Sequence, residues 1–122
     1  MADRIEFPQV FTLLDAEEET GAGDAVFCVP ANPGVQTKKT FVASIASVGA
    51  ATATVLIEVS HDGATYLTLE TIALDTGSGD SDVEFKANSD FWPYVRANLS
   101  AVTGNLATGV GAQVTVTMAV GF

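Results

Sequence analysis

Apolar residues recur at every second position in several separate stretches of this chain, and that alternation restricts its fold more than any other feature. In TFVASIASV (Thr40 to Val48), Phe41, Ala43 and Ile45 share one side, while Val42, Ser44 and Ala46 share the other. ATVLIEV (Ala53 to Val59) sets Val55, Ile57 and Val59 against Thr54, Leu56 and Glu58. FWPYVRANLSAV (Phe91 to Val102) sets Val95, Ala97 and Leu99 against Tyr94, Arg96 and Asn98. QVTVTMAV (Gln113 to Val120) puts Val114, Val116, Met118 and Val120 on one side. Successive side chains of a strand point to opposite faces, so this period marks antiparallel strands with one face buried. No amphipathic helix competes with that reading.

Shorter stretches extend it. QVFTLLD (Gln9 to Asp15), AVFCV (Ala25 to Val29, stopped by Pro30), TYLTLETIAL (Thr65 to Leu74) and VEFK (Val83 to Lys86) all read as strands. In TYLTLETIAL, Leu67 and Leu69 fall on one side and Tyr66 and Thr68 on the other. Between the strands lie turn-rich segments: AEEETGAGD, PANPGVQTKK, GAAT, DTGSGDSD and TGNLATGVGA. Glycine, proline and aspartate punctuate chains in this way between strands. About eight short strands at such spacing predict an all-β chain, a single antiparallel β-sandwich of jelly-roll or immunoglobulin-like type. A single sequence leaves the strand order open. With 122 residues the chain suits one domain. Residues 9–122 are read as the sandwich and residues 1–8 as an N-terminal arm.

Charge narrows the partners. Fifteen acidic residues against five basic ones leave a net charge of −10. Nucleic acid is not expected as a partner, because binding phosphates requires clustered Lys or Arg, and Lys38-Lys39 is the only basic pair. Anionic membrane surfaces are disfavoured for the same reason. No run approaches the length of a membrane helix, and MADRIEFPQVF does not read as a secretory signal. Cys28 is the sole cysteine, so no internal disulfide is expected and synthesis in a reducing cytoplasm is. Inside AVFCVP it reads as a small hydrophobe in a strand rather than a nucleophile.

Candidate chemistry is sparse. His61, the one histidine, stands beside Asp62 and suggests a catalytic dyad. Neighbours on a strand face opposite ways, however, and Asp62-Gly63 is a tight-turn pair between two alternating runs. The stretch therefore reads as a hairpin tip with His61 exposed. Asp75, Asp80 and Asp82 are spaced as oxygen ligands of Ca²⁺ would be, but the EF-hand pattern and its closing Glu are missing. Turn preference alone accounts for such a loop. One His and one Cys exclude a zinc pattern, and neither a phosphate loop nor a nucleophile elbow is present. No enzyme activity, cofactor or metal is expected. The cluster Phe91, Trp92 and Tyr94 around Pro93 offers a sugar-stacking platform or, more simply, core and strand-edge packing. Phe7, Phe11 and Phe122 are candidates for subunit contacts, since interfaces favour aromatics.

The order VLIEVSHDGATYLTLETI, then FWPYVRANLSAVTG, then QVTVTMAV resembles small structural proteins of tailed bacteriophages. There a strand ending in S-x-DG runs into an aromatic and x-T-L, followed by an aromatic-rich strand and a final VTV strand. The likeness covers roughly Thr52 to Val120. Within that group, length and composition are most similar to capsid decoration, or cement, proteins. The resemblance implies a non-enzymatic virion protein on the capsid exterior, made in the bacterial host cytoplasm. It implies the major capsid protein as partner, with capsid subunits bridged and the shell stabilised. It also implies a homo-oligomer, a trimer favoured over a dimer. Under it, Arg4, Ile5, Phe7, Val10 and Phe11 are the first contact candidates, because an exposed arm could add to a neighbour's sheet edge, the alternative being that this stretch is the first strand. Lys38 and Lys39, in the loop Pro30 to Lys39, and the loop Asp75 to Asp82 come second. A tail, baseplate or fibre-associated module and a carbohydrate-binding sandwich using Trp92 and Tyr94 are the alternatives.

Overall fold

A computed structural model describes residues 9–28, 38–103 and 112–121. The arm expected over residues 1–8, with Arg4, Ile5 and Phe7, lies outside them, as do Phe122 and most of the proline-rich loop before Lys38. The strands are β1 (Gln9–Glu17), β2 (Gly21–Ala22), β3 (Val26–Phe27), β4 (Lys38–Ala46), β5 (Thr52–Ser60), β6 (Leu67–Asp75), β7 (Ser81–Asn88), β8 (Tyr94–Thr103) and β9 (Gln113–Gly121). No helix occurs among the described residues.

Two antiparallel sheets form, one ordered β1-β9-β4-β7 and the other β2-β8-β5-β6, with β3 also paired to β8. The pairing is nested. β1 meets β9, β2 and β3 meet β8, β4 meets β7, and β5 meets β6. β2 and β3 act as one interrupted strand, since Gly21 and Ala22 face Leu99 and Asn98 while Val26 and Phe27 face Val95 and Tyr94. A long hairpin folded back on itself in this order is a jelly roll, so the choice left open between two sandwich types falls on that one.

The alternating stretches supply the core. Phe41, Ala43 and Ile45 of β4 and Val114, Val116 and Met118 of β9 are buried on one sheet. Val55, Ile57 and Val59 of β5 and Val95, Ala97 and Leu99 of β8 are buried on the other. These are the faces the period singled out; β8 keeps the pleat through Leu99, after which Ser100 is an extra residue against β5.

Elsewhere bulges break the period. On β6 the alternation read from Leu67 and Leu69 does not carry through: Ile72 and Leu74 are buried, Leu69 packs against the core half-buried, and Leu67 is 58% exposed. Ile57 pairs with Glu70 and Glu58 with Thr68, so Leu69 is an extra residue and the alternation changes phase there. On β1 the register shifts between Thr12 and Leu14 and again before Glu17, and both Leu13 and Leu14 are buried. Ala16 takes a positive φ of 50° in this irregular stretch, and its N–H donates to the Thr115 hydroxyl at 3.1 Å.

Candidate functional site

The hairpin between β5 and β6 is wider than the two-residue turn expected from Asp62-Gly63. Residues 61–65 form a looped tip, and Ser60 anchors it. The Ser60 hydroxyl is buried, donates to Asp62 Oδ1 at 2.9 Å, and accepts the N–H of Gly63 at 2.9 Å and of Asp62 at 3.2 Å. Asp62 Oδ1 in turn accepts the N–H groups of Ala64 and Thr65, each at 2.9 Å. Asp62 thus organises the loop backbone, a role its short side chain suits. Gly63 takes φ +76°, and a Cβ there would lie 3.2 Å from the Tyr94 ring.

Those donors set the acidity of Asp62. Hydrogen bonds from Thr65 and Ala64 N–H, then from Ser60, lower its pKa from 3.8 to about 2. Its contribution to the folded loop is therefore complete above about 3.8 and is lost as pH falls through about 2. A carboxyl-carbon NMR titration should place the Asp62 midpoint near 2, with the Ala64 and Thr65 amides moving in step. An ordinary carboxylate midpoint would show that these bonds do not persist in solution.

Aromatic rings brace the same end. The His61 ring stacks on Trp92 with centroids 4.7 Å apart, and Phe27 lies 4.9 Å from Tyr94. Ser60, His61, Asp62, Thr65, Leu67 and Trp92 line an open hollow of about 210 Å³. Tyr94 lies between Phe27 and the Gly63 backbone, so this ring is engaged within the chain. Of the predicted cluster, Phe91 is the exposed member and Trp92 packs partly against the core. His61 and Asp62 do not form a dyad: His61 contacts Trp92, and Asp62 serves backbone donors.

Next to this end, the outward face of the β2-β8-β5-β6 sheet is polar. Arg96 Nε donates to Glu58 Oε1 at 2.8 Å, Asn98 reaches Glu58 Oε2 at 3.2 Å, and the Arg96 guanidinium sits 3.7 Å from the Tyr66 ring centroid. Sequence reasoning did not single these residues out, although Glu58, Arg96 and Asn98 all occupy the outward positions of their alternating runs.

In the acidic loop, the Asp75 and Asp82 carboxylates turn to backbone donors. Asp82 Oδ2 accepts the Asp75 N–H at 3.0 Å, and Asp75 Oδ1 accepts the Gly77 N–H at 2.8 Å. Among the described residues, no three His, Cys, Asp or Glu side chains come together as a metal-binding group. Asp75 and Asp82 shape the turn, consistent with the turn preference of the loop.

The contact candidates divide by side. Val10 and Lys38 are exposed. Phe11 packs against the core, and Lys39, only 2% exposed, turns inward to donate to the Asp90 carbonyl beside Phe91. Burial lowers the Lys39 pKa, opposed by the nearby Cys28 and Asp90, and burial raises that of the Cys28 thiol. Lys39 is thus buried and Phe11 half-buried, while Val10 and Lys38 face outward, because neighbours on β1 and β4 point to opposite sides.

The outward face of the β1-β9-β4-β7 sheet carries a different feature. Across the four strands, Val10, Ala119, Thr40 and Ala87 form one row. Thr12, Thr117, Val42 and Phe85 form the next. Thr115, Ser44 and Val83 continue the pattern. No charged side chain falls in these rows. The reason lies partly in β7, a longer strand than VEFK suggested, which turns Val83 and Phe85 outward while Asp82, Glu84 and Lys86 take the opposite side.

Together, the nested sheets and these surfaces define a jelly-roll domain with one polar outer face and one whose central rows carry no charge. A solved structure shares the fold: the SPBc2 prophage-derived protein YomS superposes with a TM-score of 0.60 at 14% identity, covering 98% of this chain and 97% of that one. No family model matches the chain, and no curated protein matches it in sequence.

Proposed function

We propose that this chain is a non-enzymatic structural protein of a bacteriophage virion, and that it decorates the capsid. In this reading it binds the outside of the assembled shell, contacts the major capsid protein and stabilises the particle by bridging neighbouring subunits. The end-to-end likeness to a prophage-derived protein carries the phage assignment, since it spans nearly the whole of both chains. The narrower role rests on length and composition, which are most similar to those of capsid decoration proteins among the small structural proteins of tailed phages. Such a role requires surfaces rather than a catalytic cleft, and contact with several shell subunits at once multiplies a weak affinity. The net charge of −10 suits docking to a basic shell surface.

The test is binding to expanded, undecorated capsids of the cognate phage. Saturable co-sedimentation and a higher shell disruption temperature by calorimetry are expected. Binding to purified tails instead of shells would transfer the protein to a tail or baseplate role. Binding to neither would overturn the virion assignment.

A further inference from the structure

The outer face of the β1-β9-β4-β7 sheet, whose central rows carry no charge, has no use in an isolated molecule. Val10, Val83 and Phe85 are 66%, 62% and 68% exposed, and Val42 lies between them across β4 and β9. A monomeric sandwich ordinarily turns polar residues outward along each strand, and a contiguous apolar patch marks an interaction site. β7 does the reverse. Its apolar side chains point to solvent and its charged ones lie on the side of the buried β4 residues.

We propose that this face is a homodimer interface, in which a second copy packs sheet to sheet across a two-fold axis lying in the interface and perpendicular to the strands. Charge selects the occupant. Two copies that each carry −10 repel one another wherever carboxylates meet, and these rows are where they do not. Joining two neutral faces also leaves no ion to be stripped of water.

The ends of the face agree with that axis. Lys38 stands at one end of β4, while Asp15 of β1 and the turn at Asp80 stand at the other. A two-fold perpendicular to the strands reverses strand direction, so it sets the basic end of each copy over the acidic end of its mate. Size agrees as well. Strands rising about 3.3 Å per residue and spaced about 4.8 Å apart give a face of roughly 550 Å², or about 1,100 Å² for two copies. Specific interfaces begin at about 1,000 Å².

This inference is independent of capsid binding and departs from the trimer that the resemblance favours. A three-fold axis cannot set a surface against itself, whereas a two-fold must.

Sedimentation velocity and native mass measurement on the full chain test it. A species of twice 12.6 kDa is expected. Phe85→Glu should weaken dimerisation at least tenfold without changing the far-ultraviolet circular dichroism. Thr71→Glu, on the outward side of β6 in the other sheet, should leave the dimer intact. Val10→Glu, on the far edge strand, repeats the test should Phe85→Glu fail to fold. A monomer or trimer at about 100 μM would overturn the proposal, as would a dimer indifferent to both face substitutions or one abolished by Thr71→Glu.

Discussion

Phe41→Ala is expected to destabilise the fold by about 3–5 kcal/mol, the range for truncating a fully buried phenylalanine. Phe41 is fully buried on β4, between Met118 of β9 and Lys86 of β7. Removing its ring withdraws apolar surface and leaves a cavity that neighbours on two sheets close only partly. At about 4 °C per kcal/mol for a domain of this size, the melting temperature should fall by roughly 12–20 °C. Phe85→Ala is the paired control. The same side chain is removed from a solvent-facing position, so a monomer should change by no more than about 0.5 kcal/mol. Urea unfolding of the two variants, compared at a concentration where both are monomeric, checks the contrast. Similar losses in both would mean that the outward placement of Phe85 is wrong.

Gly23→Ala should have the second large effect, for a steric reason. Gly23 lies between β2 and β3, and its N–H donates to the Ala97 carbonyl at 2.9 Å. A Cβ at this position would overlap the Leu13 carbonyl oxygen and lie 3.0 Å from Leu14 Cδ2. This is where the bulged edge strand β1 of one sheet meets the interrupted edge of the other. The obstacle is backbone, which cannot swing aside as a side-chain tip does. The cost should reach or exceed the top of the roughly 1–3 kcal/mol range for overpacking. Gly79→Ala serves as the comparison, because its Cβ would meet only the Thr76 carbonyl, at an ordinary 3.4 Å. Thermal denaturation of the pair should separate them clearly, and equal melting temperatures would contradict the close approach at Gly23.

These contrasts show which parts of the molecule were legible beforehand. The inward faces of β4, β5, β8 and β9 could be read residue by residue, since their alternation runs unbroken over the buried positions, in β8 as far as Leu99, just before its extra residue Ser100. β6 could not, because one inserted residue at Leu69 reverses the phase and nothing local announces it. β2 was hidden in a glycine- and glutamate-rich segment, because a two-residue bridge is made by its partner Leu99–Asn98 rather than by its own propensity. The jelly-roll order was out of reach for a similar reason, as every pairing that defines it is non-local except the β5–β6 hairpin.

The candidate surfaces follow the same rule. Asp62-Gly63 announced a turn, while the buried Ser60 hydroxyl that holds it was silent, since serine is unremarkable at a strand end. Val10 and Lys38 lie exposed while Phe11 and Lys39, one residue along, pack toward the core, a difference within each pair that residue type alone does not announce. In VEFK the period is too short to say whether Val83 and Phe85 or the charged pair looks inward. Only the register with β4 decides that.

The nesting of first strand with last also bears on how the chain reaches its fold. Ala16 is held by Thr115, 99 residues further along, and the whole of β1 waits on β9 for its partner. Closing such distant contacts costs chain entropy before any burial repays it, so refolding belongs in the millisecond-to-second range of high-contact-order β proteins. During synthesis, β1 leaves the ribosome long before β9, the strand it pairs with. The central β5–β6 hairpin, the one local pairing, is the natural place for structure to begin, and the two outermost strands are the last to lock.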